Sequence, residues 1–243
     1  MTKWRLSVLF LFITAYSSSA SAQGLSLKAL ELNINAGMSV YTNKTFQINY
    51  PQALPSVTGK MQLSTNHRFD ARANFLTTKH FGMEAFYSLE NKNSVVFTST
   101  SSPGVPDVPI PLQIHHFGLN LLYYPTGKAN SAMRPYFYLG GGAMIYRPSA
   151  AGQAVATNPL YGDFSKFIES SRPAVTVGAG VKRTISKTFG LRLDVADVVT
   201  VAPTFGLPRV DVLVTDVNAS VLPIYGWEHN LQATVGFIFY LGR

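Results

Sequence analysis

Ser88, Glu90, His115 and His116 are the residues whose types and placement come nearest to a nucleophilic centre. Ser88 and Glu90 end one alternating segment, Phe81 to Glu90. The two histidines open near the start of the next, Leu112 to Tyr124, so pairing of the segments brings all four to one edge. In that arrangement His116 is the general base, Ser88 the nucleophile and Glu90 the orienting acid, a set suited to cleaving a lipid ester. The spacing argues against it. Small-barrel lipid A deacylases carry a His and a Ser two residues apart on one strand, whereas H-H-F-G-L-N, from His115, contains no serine. His229 beside Glu228 is a weaker pair, and no spacing of His with carboxylates marks a metal site. There is no cysteine, which excludes thiolate catalysis, disulfides and Cys-based zinc. The expectation is a protein that is not an enzyme and uses no cofactor or metal.

The elements that carry these residues alternate with a period of two. The closing segment, His229 to Arg243, sets Leu231, Ala233, Val235, Phe237, Phe239 and Leu241 on one face and Gln232, Thr234, Gly236 and Tyr240 on the other. Seven more runs behave alike: Glu31 to Tyr41, His67 to Leu76, Phe81 to Glu90, Leu112 to Tyr124, Pro135 to Tyr146, Pro173 to Ile185 and Gly190 to about Val198. Connections alternate in length. Thr77 to His80, Pro125 to Arg134 and Ser186 to Phe189 are short, while residues 42–66, 91–111, 147–172 and 199–228 are long. Short turns at one end and long loops at the other are the signature of an all-β, eight-stranded antiparallel up-and-down transmembrane β-barrel. A lipocalin-like soluble barrel has no reason to sort its loops this way, and no Gly-x-Trp opens the first strand. Two local expectations remain open. R-V-D-V-L-V-T-D-V in the last long loop alternates well enough to be a further strand, and Asp163 to Glu169 fits a short helical turn.

The beginning of the chain points to export. Lys3 and Arg5 precede an apolar run from Leu6 to Tyr16, and S-A-S-A ends at Ala22, so residues 1–22 read as a cleaved signal peptide and residues 23–243 as the barrel domain. That run is well short of the roughly 20 residues a spanning helix needs. The formal charge is +8, and losing Lys3 and Arg5 with the leader lowers it by two. For a secreted chain this excess does not argue for a nucleic-acid partner.

Alternation also assigns the charges to a face. Arg68, Asp70, Arg72, Glu84, Lys182, Arg192 and Asp194 all fall on the side opposite the apolar residues, where mixed sign suits a lumenal polar network. A tight hairpin centred near Thr78 sets Arg72 opposite Glu84, Phe75 opposite Phe81 and Phe69 opposite Tyr87. In the fifth run Tyr136, Tyr138, Gly140, Gly142 and Met144 are expected inward. Eight strands leave room only for their own side chains, so the lumen is expected to be plugged; a small-solute path, with Gly118, Gly178 and Gly180 giving it space, is the alternative. Tyr41, Phe97, Tyr123, Tyr124, Tyr146, Phe189, Phe205 and Tyr225 lie near strand ends, where aromatics form interfacial girdles. Lys79, Lys128, Arg134, Lys182, Arg183 and Lys187 cluster at the short-turn end, where anionic headgroups would meet them.

Three stretches, A-N-F-L-T-T-K-H-F-G-M-E-A-F-Y-S (Ala73 to Ser88), G-A-G-V-K-R-T-I-S-K-T-F-G-L-R-L-D-V-A-D (Gly178 to Asp197) and H-N-L-Q-A-T-V-G-F-I-F, resemble the outer-membrane β-barrel domain family. These are OmpA-like barrels of Gram-negative bacteria. The resemblance implies a single-domain outer-membrane protein with no following peptidoglycan-binding domain and no catalytic residues. Its partners would be outer-membrane lipids, an extracellular ligand on the long loops, and the assembly machinery. Since Arg243 stands where that family often ends in Phe, the machinery would read Phe237, Phe239 and Tyr240. The expected role is structural or adhesin-like, with a small-solute channel and a lipid-modifying enzyme as alternatives.

Overall fold

A computed structural model of the chain describes residues 30–48, 57–100, 107–127, 131–157, 167–209 and 222–241. The leader read at residues 1–22 lies outside them, as does all but Arg209 of the alternating stretch in the last loop. In chain order the elements are β1 (Leu30–Tyr41), β2 (Lys44–Ile48), β3 (Val57–Leu63), β4 (Asn66–Leu76), β5 (Phe81–Ser99), β6 (Val108–Tyr123), β7 (Met133–Pro148), α1 (Ala150–Ala156), β8 (Ser170–Thr184), β9 (Phe189–Val201) and β10 (Trp227–Leu241).

Eight of these strands close a ring. β1 pairs with β4, β4 with β5, and so on through β6, β7, β8 and β9 to β10, which returns to β1 along its whole length, from Leu30↔Leu241 to Tyr41↔Asn230. All pairings are antiparallel, as the sequence leads one to expect, and closure leaves the ring without a free edge. Along the staves burial alternates, and the charged and most of the polar side chains fall on the buried face while the outer face is apolar. In β1, Glu31, Asn33, Asn35 and Ser39 are buried while Leu32, Ile34, Met38 and Val40 are exposed, Ile34 to 61%. In β10 Val235, Phe237, Phe239 and Leu241 are exposed and Gln232 and Thr234 are buried. Such an inversion is unfavourable in water and favourable in acyl chains, so it marks the outer face as lipid-facing. Among the described residues no helix is long and apolar enough to cross a membrane.

The two tightest turns share one construction. Thr78 Oγ1 accepts the amides of His80 (3.3 Å) and Phe81 (3.0 Å), and Ser186 Oγ accepts those of Thr188 (3.3 Å) and Phe189 (3.1 Å). At each turn two successive amides donate to one carbonyl, Thr77 and Thr78 to Phe81, Ile185 and Ser186 to Phe189. The doubled contact closes a loop from Thr77 to Phe81, which puts the hairpin centre at Lys79, one residue past Thr78. Arg72 therefore pairs with Phe86, Phe75 with Met83 and Phe69 with Leu89, instead of the expected Glu84, Phe81 and Tyr87.

Beyond the lipid-facing band the described residues of the long-loop end form further strands, a helix and a core. β5 and β6 continue past a register shift between Glu90 and Asn93, and the first long loop, expected without strands, holds the β2–β3 hairpin, whose β3 pairs with β5 through Gly59↔Ser99 to Leu63↔Val95. Met61, Leu63, Val95, Ile110, Leu112, Ile114, Met144, Tyr146, Phe205 and Ile224 pack there as one apolar core. The third long loop carries its helix at Ala150–Ala156, earlier than the expected Asp163 to Glu169, of which residues 163–166 lie outside the described residues and 167–169 are not helical. Ser149 caps it by accepting from Gly152 N at 3.1 Å. A side chain on Gly152 would collide with the Pro111 carbonyl, so the helix can lie on β6 only through glycine.

Candidate functional site

The interior contains a continuous charge network. Arg68 and Arg72 of β4 both hold Asp70, at 2.8 and 2.7 Å. Arg72 also reaches Glu84 of β5 at 3.3 Å, diagonally across the pair that the turn geometry displaced. From the far wall Arg192 of β9 binds Glu84 through both terminal nitrogens and Asp194 through Nε at 2.6 Å. Asn120 of β6 donates to Glu84 at 3.1 Å, and the Tyr136 hydroxyl of β7 donates to Asp194. Thus three guanidinium groups meet three carboxylates in a neutral cluster that spans the barrel from β4 and β5 to β9, all nearly free of solvent. Alternation places these residues inward, and the small diameter of eight strands forces opposite walls into contact.

Lys182, the remaining predicted member, lies apart from that cluster, near the short-turn end. It pairs with Glu31 of β1 and donates to the Tyr124 hydroxyl at 2.9 Å. Arg134 joins them, 3.7 Å from Glu31 and with its guanidinium 4.1 Å from the centre of the Tyr124 ring. Asn74 ties the group together by donating to Glu31 (3.1 Å) and to Tyr124 (2.8 Å). Lys182 and Arg134 therefore do not face headgroups, as the basic-turn reading expected; both are buried because their strand parity turns them inward. Sequence reasoning missed Glu31, Arg134, Asn74 and Asn120 as members, although each shares the parity of a polar face.

Two of the three glycines expected to give space are filled by neighbouring rings, and the third, Gly118, lies against the Gly141 carbonyl. A Cβ on Gly178 would strike the Tyr138 ring and one on Gly180 the Tyr136 ring; the missing side chains make room for tyrosines of the adjoining strand. Tyr136, Tyr138 and Met144 point inward, with Gly140 and Gly142 on the same face, as read from the fifth run. Of the aromatics assigned to girdles, Tyr41, Phe97, Tyr124, Tyr146 and Phe205 are instead buried inside, where they fill the ends of the lumen, while Tyr123 and Tyr225 are exposed.

The suggested nucleophilic trio does come close in sequence register, since Ser88 and His116 are directly paired. Their side chains are buried in the lumen, not set at a rim, and Ser88 Oγ is 3.4 Å from the His116 backbone carbonyl. Neither ring nitrogen of His116 has a hydrogen-bond partner among the described residues, its ring sits edge-on to Phe86, and Glu90 is held by Tyr41 (2.8 Å) and Asn93 (2.7 Å). His229 and Glu228 face opposite sides of β10: Glu228 accepts from Tyr146 inside at 3.3 Å, and His229 pairs with Asp197 outside at 2.7 Å. His115 also faces outward, bonded to Tyr87 at 2.8 Å. Among the described residues no three His, Asp or Glu side chains converge as a metal site.

No family model and no curated protein matches the chain. Solved structures do resemble it. The outer membrane protein OprG of Pseudomonas aeruginosa aligns over 87% of this chain and 95% of its own at 14% identity, with a TM-score of 0.49. AlkL, an outer membrane protein solved in DMPC lipid bilayers, aligns over 88% and 92% at 13% identity and a TM-score of 0.46. Neisserial surface protein A aligns over 87% and 97% at 12% identity and a TM-score of 0.44. The chain is thus similar to outer-membrane barrels, while its own fold rests on the strand register and the inverted burial described above.

Proposed function

We propose that this chain is an integral outer-membrane barrel that does not conduct, and that its long-loop end faces outward as a structured surface for contact with other molecules. The observation that carries the first part is Glu84, which joins Arg72 on one wall to Arg192 on the other, so that charge pairs lie across the lumen instead of lining it. The second part is supported by the β2–β3 hairpin, α1 and the apolar core beneath them, which give the external end a fixed shape. Outer-membrane lipids are then its surroundings, with the exposed apolar faces of the staves against acyl chains. The assembly machinery would engage β10 through Phe237, Phe239 and Tyr240. No enzymatic step is assigned. Planar-bilayer recording of the refolded chain tests the reading: it predicts a silent membrane, and steady unitary currents would replace it with a small-solute channel. Substituting His116 by Ala is expected to leave lipid A unchanged, and loss of a lipid modification would revive the enzyme.

A further inference from the structure

Directly beyond the charge network, toward the long loops, the lumen changes character. Asn35, His116, Thr176, Asn230, Gln232 and Thr234 are each nine-tenths buried or more, and each keeps at least one polar atom without a hydrogen-bond partner. The register makes them neighbours around the wall. Thr176 and Asn230 both pair with Val198, Gln232 and Thr234 are the next inward positions of β10, and Asn35 leads through Asp70 and Ser88 to His116. Buried polar atoms are rarely left unpaired, and a group of them ringing one level of the lumen, from β10 and β1 to β6 opposite, needs something to bond. Apart from an Arg68 nitrogen at the floor and Glu228 Oε1 above Asn230, the need is for dipoles. The central network is balanced, three cations to three anions, and the unpaired set mixes amide and hydroxyl donors with carbonyl acceptors.

What lies over this region on the long-loop side, among the described residues, is the apolar core, and it contains one strained residue. Phe205 has φ of +53°, a left-handed conformation that is unusual for a bulky side chain, and Gly206 follows at +82°. The Phe205 ring is fully buried, stacked at 4.3 Å on Phe167 from the preceding loop and edge-on to Tyr146 of β7. The Ile168 amide donates to the Phe205 carbonyl at 2.8 Å. Two loops thus meet over the barrel mouth, and the side chain at their junction sits on a backbone that would relax if it were released.

We propose that this part of the lumen is a solvated vestibule for water and small neutral hydroxyl-bearing molecules, stoppered at the long-loop end by Phe205. It rests on the reading of the charge network as the vestibule's floor. Because the chain has no cysteine, single reporters are clean. Thr176→Cys reports the vestibule, and Ile238→Cys, inward on β10 beyond Arg192, reports the space below the floor. Each is refolded as the full mature chain in micelles and treated with hydroxyethyl methanethiosulfonate, a neutral hydroxylic reagent. With Phe205 intact, Thr176→Cys is expected to react slowly. Adding Phe205→Ala should raise its rate at least tenfold, and Phe167→Ala should raise it in the same direction, while the Ile238→Cys rate stays as it was. If Phe205→Ala does not fold, Phe205→Asn keeps a residue that tolerates the left-handed backbone and must give the same increase. An unchanged Thr176→Cys rate in the folded variants, or a fast rate before the stopper is removed, overturns the vestibule. A rise at Ile238→Cys together with Thr176→Cys shows instead that the floor leaks, which refutes the sealing network and not the stopper.

Discussion

Removing the Glu84 carboxylate is the sharpest perturbation of the barrel interior. Glu84→Ala deletes the anion shared by Arg72 and Arg192 and an acceptor for Asn120, and leaves the central cluster with one uncompensated positive charge in a site without solvent. Breaking a buried pair by removing one partner costs about 3–5 kcal/mol. Arg72 keeps Asp70 and Arg192 keeps Asp194, so the lower end applies. A loss of about 3 kcal/mol lowers the ratio of folded to unfolded barrel by roughly a hundredfold. The assay is a urea titration in lipid vesicles, scored by the fraction of chain migrating as the compact, heat-modifiable band. A compensated double variant separates charge from packing. Glu84→Gln is destabilised, and adding Arg72→Gln restores neutrality while the Arg68–Asp70 and Arg192–Asp194 pairs persist, so the double variant should recover at least half of the single variant's loss. A Glu84→Ala barrel within about 1 kcal/mol of the parent, the worth of an exposed pair, would refute the reasoning that the network is a buried, mutually dependent cluster.

Other perturbations probe the remaining parts of the structure. Leu139→Arg, on the exposed face of β7, should cost about 2–4 kcal/mol in vesicles, as a cation near the bilayer centre does, whereas Leu139→Ala should cost much less; equal effects would deny that this face meets acyl chains. Thr78→Val removes the acceptor for two turn amides and should lose about 1 kcal/mol, with Thr78→Ser close to the parent. Closure predicts that Ile34→Cys forms a disulfide with Phe237→Cys, its partner on β10, and not with Ala233→Cys, which pairs four residues away; the product is read as a shifted band on a non-reducing gel.

The staves were legible because one physical constraint, lipid outside and a packed interior, acts on every second residue along each of them. It acts even where local composition is uninformative. The fifth run is apolar or glycine on both faces, yet Tyr136, Tyr138 and Met144 turn inward as its neighbours imply. Where that constraint stops, reading the sequence stops working. Beyond the bilayer β5 extends to Ser99 and gathers β2, β3 and β6 over an apolar core, so inward residues there, such as Val95 and Ile110, are greasy and the polarity rule no longer separates the faces. Aromatics near strand ends met the same fate: Tyr41 and Tyr146 look like girdle residues by position but fill the interior. Register failed for a different reason. The sharing of the Phe81 carbonyl by two amides is marked only by the short pattern that T-K-H-F-G and S-K-T-F-G have in common, and it displaced the Arg72–Glu84 pairing without breaking the ion pair, because long side chains reach diagonal partners. Glu31 and Arg134 have the parity of the interior, but Arg134 also stands among the basic residues of the short-turn end, and a charge at a strand end ordinarily meets water.

The claim on which everything else stands is the inversion of the barrel's faces, and a spin-label scan along β10 tests it most directly. Nitroxides placed singly at each position from Gln232 to Tyr240, in barrels refolded into vesicles, report collision with oxygen, which concentrates in acyl chains, and with a water-soluble nickel chelate. The structure predicts strong oxygen contact at positions 233, 235, 237 and 239 and little contact with either reagent at 232, 234, 236, 238 and 240. Nickel contact at the first set, or an oxygen profile without the two-residue period, would contradict it.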